Sequence, residues 1–246
     1  MQRPERAGNH RQHGQATLEY LYVLPVLLLL MLASLQFVLV YQAKQSLSYA
    51  TFVATRAGAL QNGSLPAIQD ALISGFTPYF VHDDTLQAMK DARVVAKTEM
   101  SDNKLVRIEI VNPTPGALSG FDDGQGEIPN DNLMYRDPGK LADNMNVQDA
   151  NLLKIRVSYC VRLVVPIINR MIYSFTTNPA TTPAKIDTYS GGPVAAPELL
   201  KAASPGSASG LCISPADPYP YRLKITAEAV VRMQSPFRNT GAWALP

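Results

Sequence analysis

Residues 20–43 carry no charged side chain, and a helix over them, at about 1.5 Å per residue, covers roughly 36 Å against a hydrocarbon core of about 30 Å. The stretch predicts a membrane-spanning helix. Its centre, Val26 to Leu32, holds only side chains that prefer lipid, and Pro25 falls about one turn in, where a kink is tolerated. After Lys44, the residues Leu47, Ala50, Val53, Ala54 and Ala57 recur at helical spacing, and Asn62-Gly63 supplies a stop signal. The spacing therefore predicts one long helix from about Leu18 to Gln61.

Downstream the pattern changes. Ser64-Leu65-Pro66 reads as a helix start, serine at the N-cap and proline in the first turn, with the helix reaching Ser74 before Gly75. Asp83 to Ala92 reads as a further short helical segment. Alternation then takes over at 104–111, 153–163 and 221–233, with Val106, Ile108 and Ile110, then Leu153 to Leu163, then Tyr221 to Met233 supplying the apolar positions. Joined by Arg93 to Met100 as an additional strand, these predict a small antiparallel sheet with one buried face, covered by the amphipathic end of the long helix. The fold class expected is α+β. Asn112 to Leu141 and Thr176 to Pro220 are rich in Pro, Gly, Asn, Asp and Ser and read as loops, with Pro166 to Phe175 a short helix against the sheet edge.

Composition narrows the function. Of 246 residues 46% are apolar, and 22 basic side chains face 20 acidic ones, which excludes a wholly disordered chain and gives no bulk charge for binding nucleic acid. His10 and His13 lie near the amino terminus, leaving His82 as the one imidazole for the rest of the chain, and no G-x-S-x-G elbow accompanies it. No catalytic residues are assigned, and an enzyme is not expected. His82-Asp83-Asp84 and Asp122-Asp123-Gly124-Gln125-Gly126-Glu127 lack metal-ligand spacing, and Gly124-x-Gly126 lacks the Lys-Ser/Thr of a phosphate loop. Solvated acidic turns are expected there, with no metal and no cofactor. Cys160 and Cys212 are too few for a structural zinc site alone. They read as a disulfide if the region is extracytoplasmic and otherwise as two separate thiols; a bridge between them would tether the second loop to the sheet.

Ahead of the apolar run stands MQRPERAGNHRQHG, with Arg3, Arg6 and Arg11 against Glu5, a leader whose cationic end favours the cytoplasm. The run is too long for an ordinary secretory signal, and Ala57-Gly58-Ala59 lies too far beyond it to be that signal's cleavage site. Glu19 starts the run inside Gly14-Gln15-Ala16-Thr17-Leu18-Glu19-Tyr20, the pattern G-x-x-x-x-E-Y at the junction of a basic leader and a membrane helix. This arrangement resembles the prepilin peptidase site of type IV pilin-like proteins of the tight-adherence (Tad, or Flp) class. Arg56-Ala57-Gly58-Ala59 is similar to the R-x-G-A segment of TadE-like members.

The resemblance implies cleavage between Gly14 and Gln15, a retained helix, and Glu19 as the fifth residue of the mature chain. It implies three parts: a leader at 1–14, a transmembrane and amphipathic helix at 15–63 and a periplasmic α+β domain at 64–246. The protein would then be a minor pseudopilin of the bacterial inner membrane, with adhesion and biofilm formation as the setting. Its implied partners are the prepilin peptidase, other pilins or pseudopilins of the Tad system, the inner-membrane pilus assembly platform and membrane lipid; no nucleic acid is expected. An unpaired carboxylate in so apolar a place is costly, so Glu19 is expected to pair with the new amino-terminal ammonium of a neighbouring subunit. Losing the leader removes three arginines and one glutamate and takes the net charge from +2 to zero. A reading of another class keeps the membrane helix as a plain anchor, its external domain binding an envelope or secretion partner.

Overall fold

The computed structural model describes residues 15–102, 104–177, 211–212, 221–238 and 244–245. Helix α1 (Gln15–Leu60) runs unbroken through Pro25 for 46 residues, three residues earlier at its start than the spacing predicts. It ends where the stop signal lies: Asn62 and Gly63 take left-handed φ of 58° and 75°, and the Gly63 N–H donates to the Gly58 carbonyl at 2.8 Å.

Helix α2 (Leu65–Phe76) folds back along α1 with Ser64 at its N-cap. The serine acts through its backbone, whose carbonyl accepts from the Ile68 N–H at 3.0 Å, and no hydroxyl cap bond forms. The expected stop before Gly75 does not occur. A Cβ at 75 would stand 2.9 Å from the Ala50 Cα, so this glycine permits close approach of two helices instead of ending one. Gly58 of the R-x-G-A segment has a related role, since a Cβ there would meet Ile68 Cγ1 at 2.7 Å and Leu153 Cδ2 at 3.0 Å.

Helix α3 (Leu86–Met100) is capped by the Thr85 hydroxyl, which accepts from the Ala88 N–H at 3.1 Å. It absorbs 93–100, expected as a strand. Ala92, Ala96, Glu99 and Met100 form a buried stripe of helical period, and that packing outweighs the strand preference of Val94-Val95.

Besides two short 3-10 helices at Thr77–Phe80 and Leu133–Tyr135, the remaining elements are β1 (Val106–Asn112), α4 (Pro115–Phe121), β2 (Glu127–Ile128), α5 (Val147–Ala150), β3 (Leu152–Arg162), α6 (Ile168–Thr177), β4 (Arg222–Arg232), β5 (Phe237–Arg238) and β6 (Ala244–Leu245). The fold is α+β, as expected. An antiparallel sheet has the order β4-β3-β1-β6, and β2 pairs separately with β5. The segment 112–141 is not a plain loop: Thr114 caps α4, and Ala117, Leu118 and Phe121 are buried beneath it. The second expected loop lies largely outside the described residues. Helix α6 occupies the segment read as a short helix and packs on the edge strand β4.

Leu153, Ile155, Val157, Tyr159 and Val161 face the helices and are buried, but the sheet departs from the expectation of a single buried face. Lys154, Ser158 and Cys160, on the opposite register of β3, are buried too. A central strand is shielded from both sides, and here the second side is a cross-strand charge ladder. Arg156 Nε donates to Glu228 at 2.7 Å and its Nη1 lies 3.6 Å from Glu109, while Lys154 Nζ meets Glu228 at 3.0 Å.

Candidate functional site

The site is the amino-terminal half of α1 and its junction with the domain. Gly14 lies outside the described residues. Gln15 opens α1, and Glu19 and Tyr20 are exposed in its first turns. From Tyr20 to Leu30 every large apolar side chain is exposed, and Leu28 keeps 51% of its surface. Among the described residues this is one helix long and apolar enough to cross a membrane, near the amino terminus, with 6% of its most apolar window buried.

The domain meets α1 earlier than the apolar run ends. Gln36, deep inside the charge-free run, is fully buried, and its Oε1 accepts the Val165 N–H at 2.8 Å. Farther along, Ala43, Leu47, Ala50 and Ala54 continue a fully buried stripe whose small side chains bring α2 and the sheet close. Leu153 at the start of β3 touches α1 near Gly58, while Val165, just past the end of β3, touches it at Gln36. Strand β3 therefore runs back along α1 towards the apolar end. Gln36 was not singled out in the sequence, although an amide within a lipid-seeking run is the signal that marks it.

Cys160 and Cys212 form a disulfide with Cα atoms 5.4 Å apart and 52 residues of separation. Cys160 is fully buried and its N–H donates to the Leu105 carbonyl at 2.9 Å, while the Cys212 N–H donates to the Lys104 carbonyl at 2.8 Å. Leu211-Cys212 is thus pinned to the start of β1 as well as to β3.

Glu99 forms a second cluster that the sequence reading did not find. Its Oε2 accepts from the Tyr159 hydroxyl at 2.8 Å and lies 3.4 Å from Arg222 Nη1, and its Oε1 pairs with Arg162. Burial first, and then the Glu99 charge, push the Tyr159 hydroxyl far above its ordinary range. The arrangement is a neutral phenol, a buried carboxylate and its cations, holding α3 to the end of the sheet nearest the apolar half of α1.

The other residues weighed for chemistry stay apart. His82, Asp83 and Asp84 are exposed between α2 and α3, and among the described residues no three His, Cys, Asp or Glu side chains converge as a metal site would require. Asp122 Oδ1 accepts the N–H groups of Gly126 at 2.8 Å and Gly124 at 2.9 Å, and these bonds hold its carboxyl below the usual carboxylate range.

Comparison with known proteins matches residues 14–56 to the TadE-like protein family. No curated protein and no solved structure matches the chain. The matched segment holds the G-x-x-x-x-E-Y pattern and the exposed helix. The amino-terminal helix is therefore similar to TadE-like proteins, a family associated with the Tad pilus, and the similarity stops at residue 56.

Proposed function

We propose that this protein is a minor pseudopilin of a tight-adherence pilus, acting in its assembly, initiation or priming and not as an enzyme. It is made with the leader 1–14, cut after Gly14 by the prepilin peptidase, and held in the inner membrane by α1 with its domain in the periplasm. One observation carries the reading: the TadE-like match covers 14–56, and the helix inside that match leaves residues 19–31 uncovered by the domain. Lipid covers such a surface before assembly, and the helices of other pilins cover it in a bundle. The leader arginines favour a cytoplasmic amino terminus, and the Cys160–Cys212 bridge suits an oxidising compartment.

Intact mass of the membrane-extracted chain, coexpressed with its prepilin peptidase, tests the reading. The mature species lacks residues 1–14, and Gly14→Leu blocks the conversion by shielding the scissile backbone. An unprocessed amino terminus in the native membrane would replace the pseudopilin with the plain-anchor alternative. Protease added to spheroplasts digests the domain beyond residue 63 and spares the leader; the opposite pattern would invert the topology.

A further inference from the structure

Helix α6 and the turn before it present an apolar edge that the domain leaves uncovered. Val164 is 70% exposed, Ile167 61% and Met171 39%, while Val165 and Ile168 between them are buried against the domain. Ile167, in the left-handed turn that leads into α6 (φ 71°), and Met171 in its first turn are both exposed, while Ile172 and Tyr173 turn to half-buried positions. A helix of this kind belongs at a boundary between polar and apolar media.

Its position along α1 identifies the boundary. Val165 is hydrogen-bonded to Gln36, which lies 17 residues after Glu19. At 1.5 Å per residue that is about 25 Å along the helix, close to the far side of a hydrocarbon layer of about 30 Å. Leu35 and Phe37, the neighbours of Gln36 on α1, are 49% and 70% exposed at the same level, so the apolar edge of α6 continues the outward-facing surface of α1.

The start of α6 is held at this level by Tyr221. The Leu163 N–H donates to the Tyr221 carbonyl at 3.0 Å, which fixes Tyr221 beside the Val165 turn. Arg170 Nε donates to the Tyr221 hydroxyl at 3.0 Å, and the Tyr173 ring meets the Tyr221 ring edge to face at 5.4 Å. Arg170 and Tyr173 are thus held at the level of Tyr221, and from there the end of α6 follows edge strand β4, with Thr176 near Cys212 and Lys224. Arg170 and the two tyrosines supply the mixed polar and aromatic character that the headgroup region favours.

We propose that α6 is an interfacial helix whose Val164, Ile167 and Met171 edge enters the headgroup–acyl boundary of the leaflet from which α1 emerges. The partner is a lipid surface, and the effect is to fix the tilt of the domain over the membrane around the Gln36 hinge point. This rests on the membrane-spanning role given to α1, and not on leader processing. It also requires this contact to be broken when the subunit leaves the bilayer.

Nitroxide labels placed on the full chain test the proposal, through Val164→Cys and Met171→Cys, in vesicles of phosphatidylethanolamine and phosphatidylglycerol. Leu28→Cys within the span and Met134→Cys, at a position 90% exposed, serve as references. The expected result is an oxygen-to-nickel collision ratio at 164 and 171 severalfold above that at 134 and approaching that at 28. A ratio equal to that at 134 would overturn the proposal, placing the edge in water. Exclusion of both reagents at 164 and 171 would also overturn it, by placing a protein surface there instead of lipid. An aqueous signal at 28 would remove the membrane helix itself; a lipid signal at 28 with an aqueous one at 164 and 171 removes only the role of α6.

Discussion

Gly75 of α2 is pressed against Ala50 of α1, such that a Cβ on the glycine would lie 2.9 Å from the Ala50 Cα and 3.3 Å from its Cβ. Alanine in a solvated helix interior gains about 1 kcal/mol over glycine. Here the opposing atom is backbone and cannot swing aside, so overpacking of about 1–3 kcal/mol prevails. Gly75→Ala lowers the thermal midpoint of the full chain in detergent micelles; an unchanged or higher midpoint would mean that the two helices can part without cost.

The bridge between Cys160 and Cys212 closes a separation of 52 residues, which by loop entropy alone contributes about 4 kcal/mol. The double substitution to serine lowers stability by roughly that amount, read as a lower denaturation midpoint with a steeper slope, because the uncrosslinked denatured chain is more expanded. Alkylation of the unreduced protein unfolded in denaturant leaves both sulfurs unmodified, because a disulfide offers no thiolate, and modification appears only after reduction.

Glu228 predicts an acid-sensitive sheet. Burial pushes its carboxyl up from the ordinary 4.5, but hydrogen bonds from Arg156 and Lys154, with their charges, bring it net lower. The folded value is therefore below the unfolded one. The ionised ladder stabilises the fold above the unfolded value, and that contribution is lost as the pH falls from the unfolded value through the lower folded one. Glu228→Gln is less stable than the parent at pH 7 and shows a flatter decline on acidification; parallel acid limbs in the two proteins would assign the sensitivity to other groups.

The parts legible in the sequence were those with a long, consistent period. The charge-free run and the Leu47–Ala57 spacing gave α1, and strict alternation gave β1, β3 and β4. Composition concealed α4, because Pro115, Gly116, Ser119 and Gly120 look like loop residues until Thr114 is recognised as a cap and Phe121 as buried. Glu99 stayed hidden for a related reason: it joins a buried stripe only once α3 extends to Met100, and Arg162 and Arg222 become its partners only through strand register. Gly14 to Tyr20 was legible as a pattern, whereas the depth at which the domain grips α1 depends on Gln36 meeting Val165, a contact across 129 residues.

Gln36 yields a local test. Gln36→Leu suits the apolar run but leaves the Val165 N–H, buried beside it, without its acceptor, at a cost of about 1–3 kcal/mol. Hydrogen exchange at the Val165 amide accelerates by roughly tenfold or more, while amides of β3 near Leu153 change little. Unaltered exchange at Val165 would show that another acceptor takes over and that the grip on α1 does not depend on the amide.

Glu19 separates insertion from assembly. It stands exposed at the start of α1, one residue before the charge-free run, and no carboxylate is needed for that run to enter a bilayer. Glu19→Leu therefore leaves membrane insertion intact. It abolishes the pairing that the proposed function assigns to Glu19, with the ammonium created at Gln15 of a neighbouring subunit, and so removes the interaction that sets axial register between helices. A cysteine introduced at Leu28, which is exposed on α1, reports that register by crosslinking to partner pilins at matched expression. The expected outcome is loss of partner adducts and of piliation in the Glu19 variant, with membrane content unchanged. Adducts and pili undiminished would reduce Glu19 to an acid that stabilises the helix start at the interface, and registration of the bundle would then have to come from the apolar surface itself.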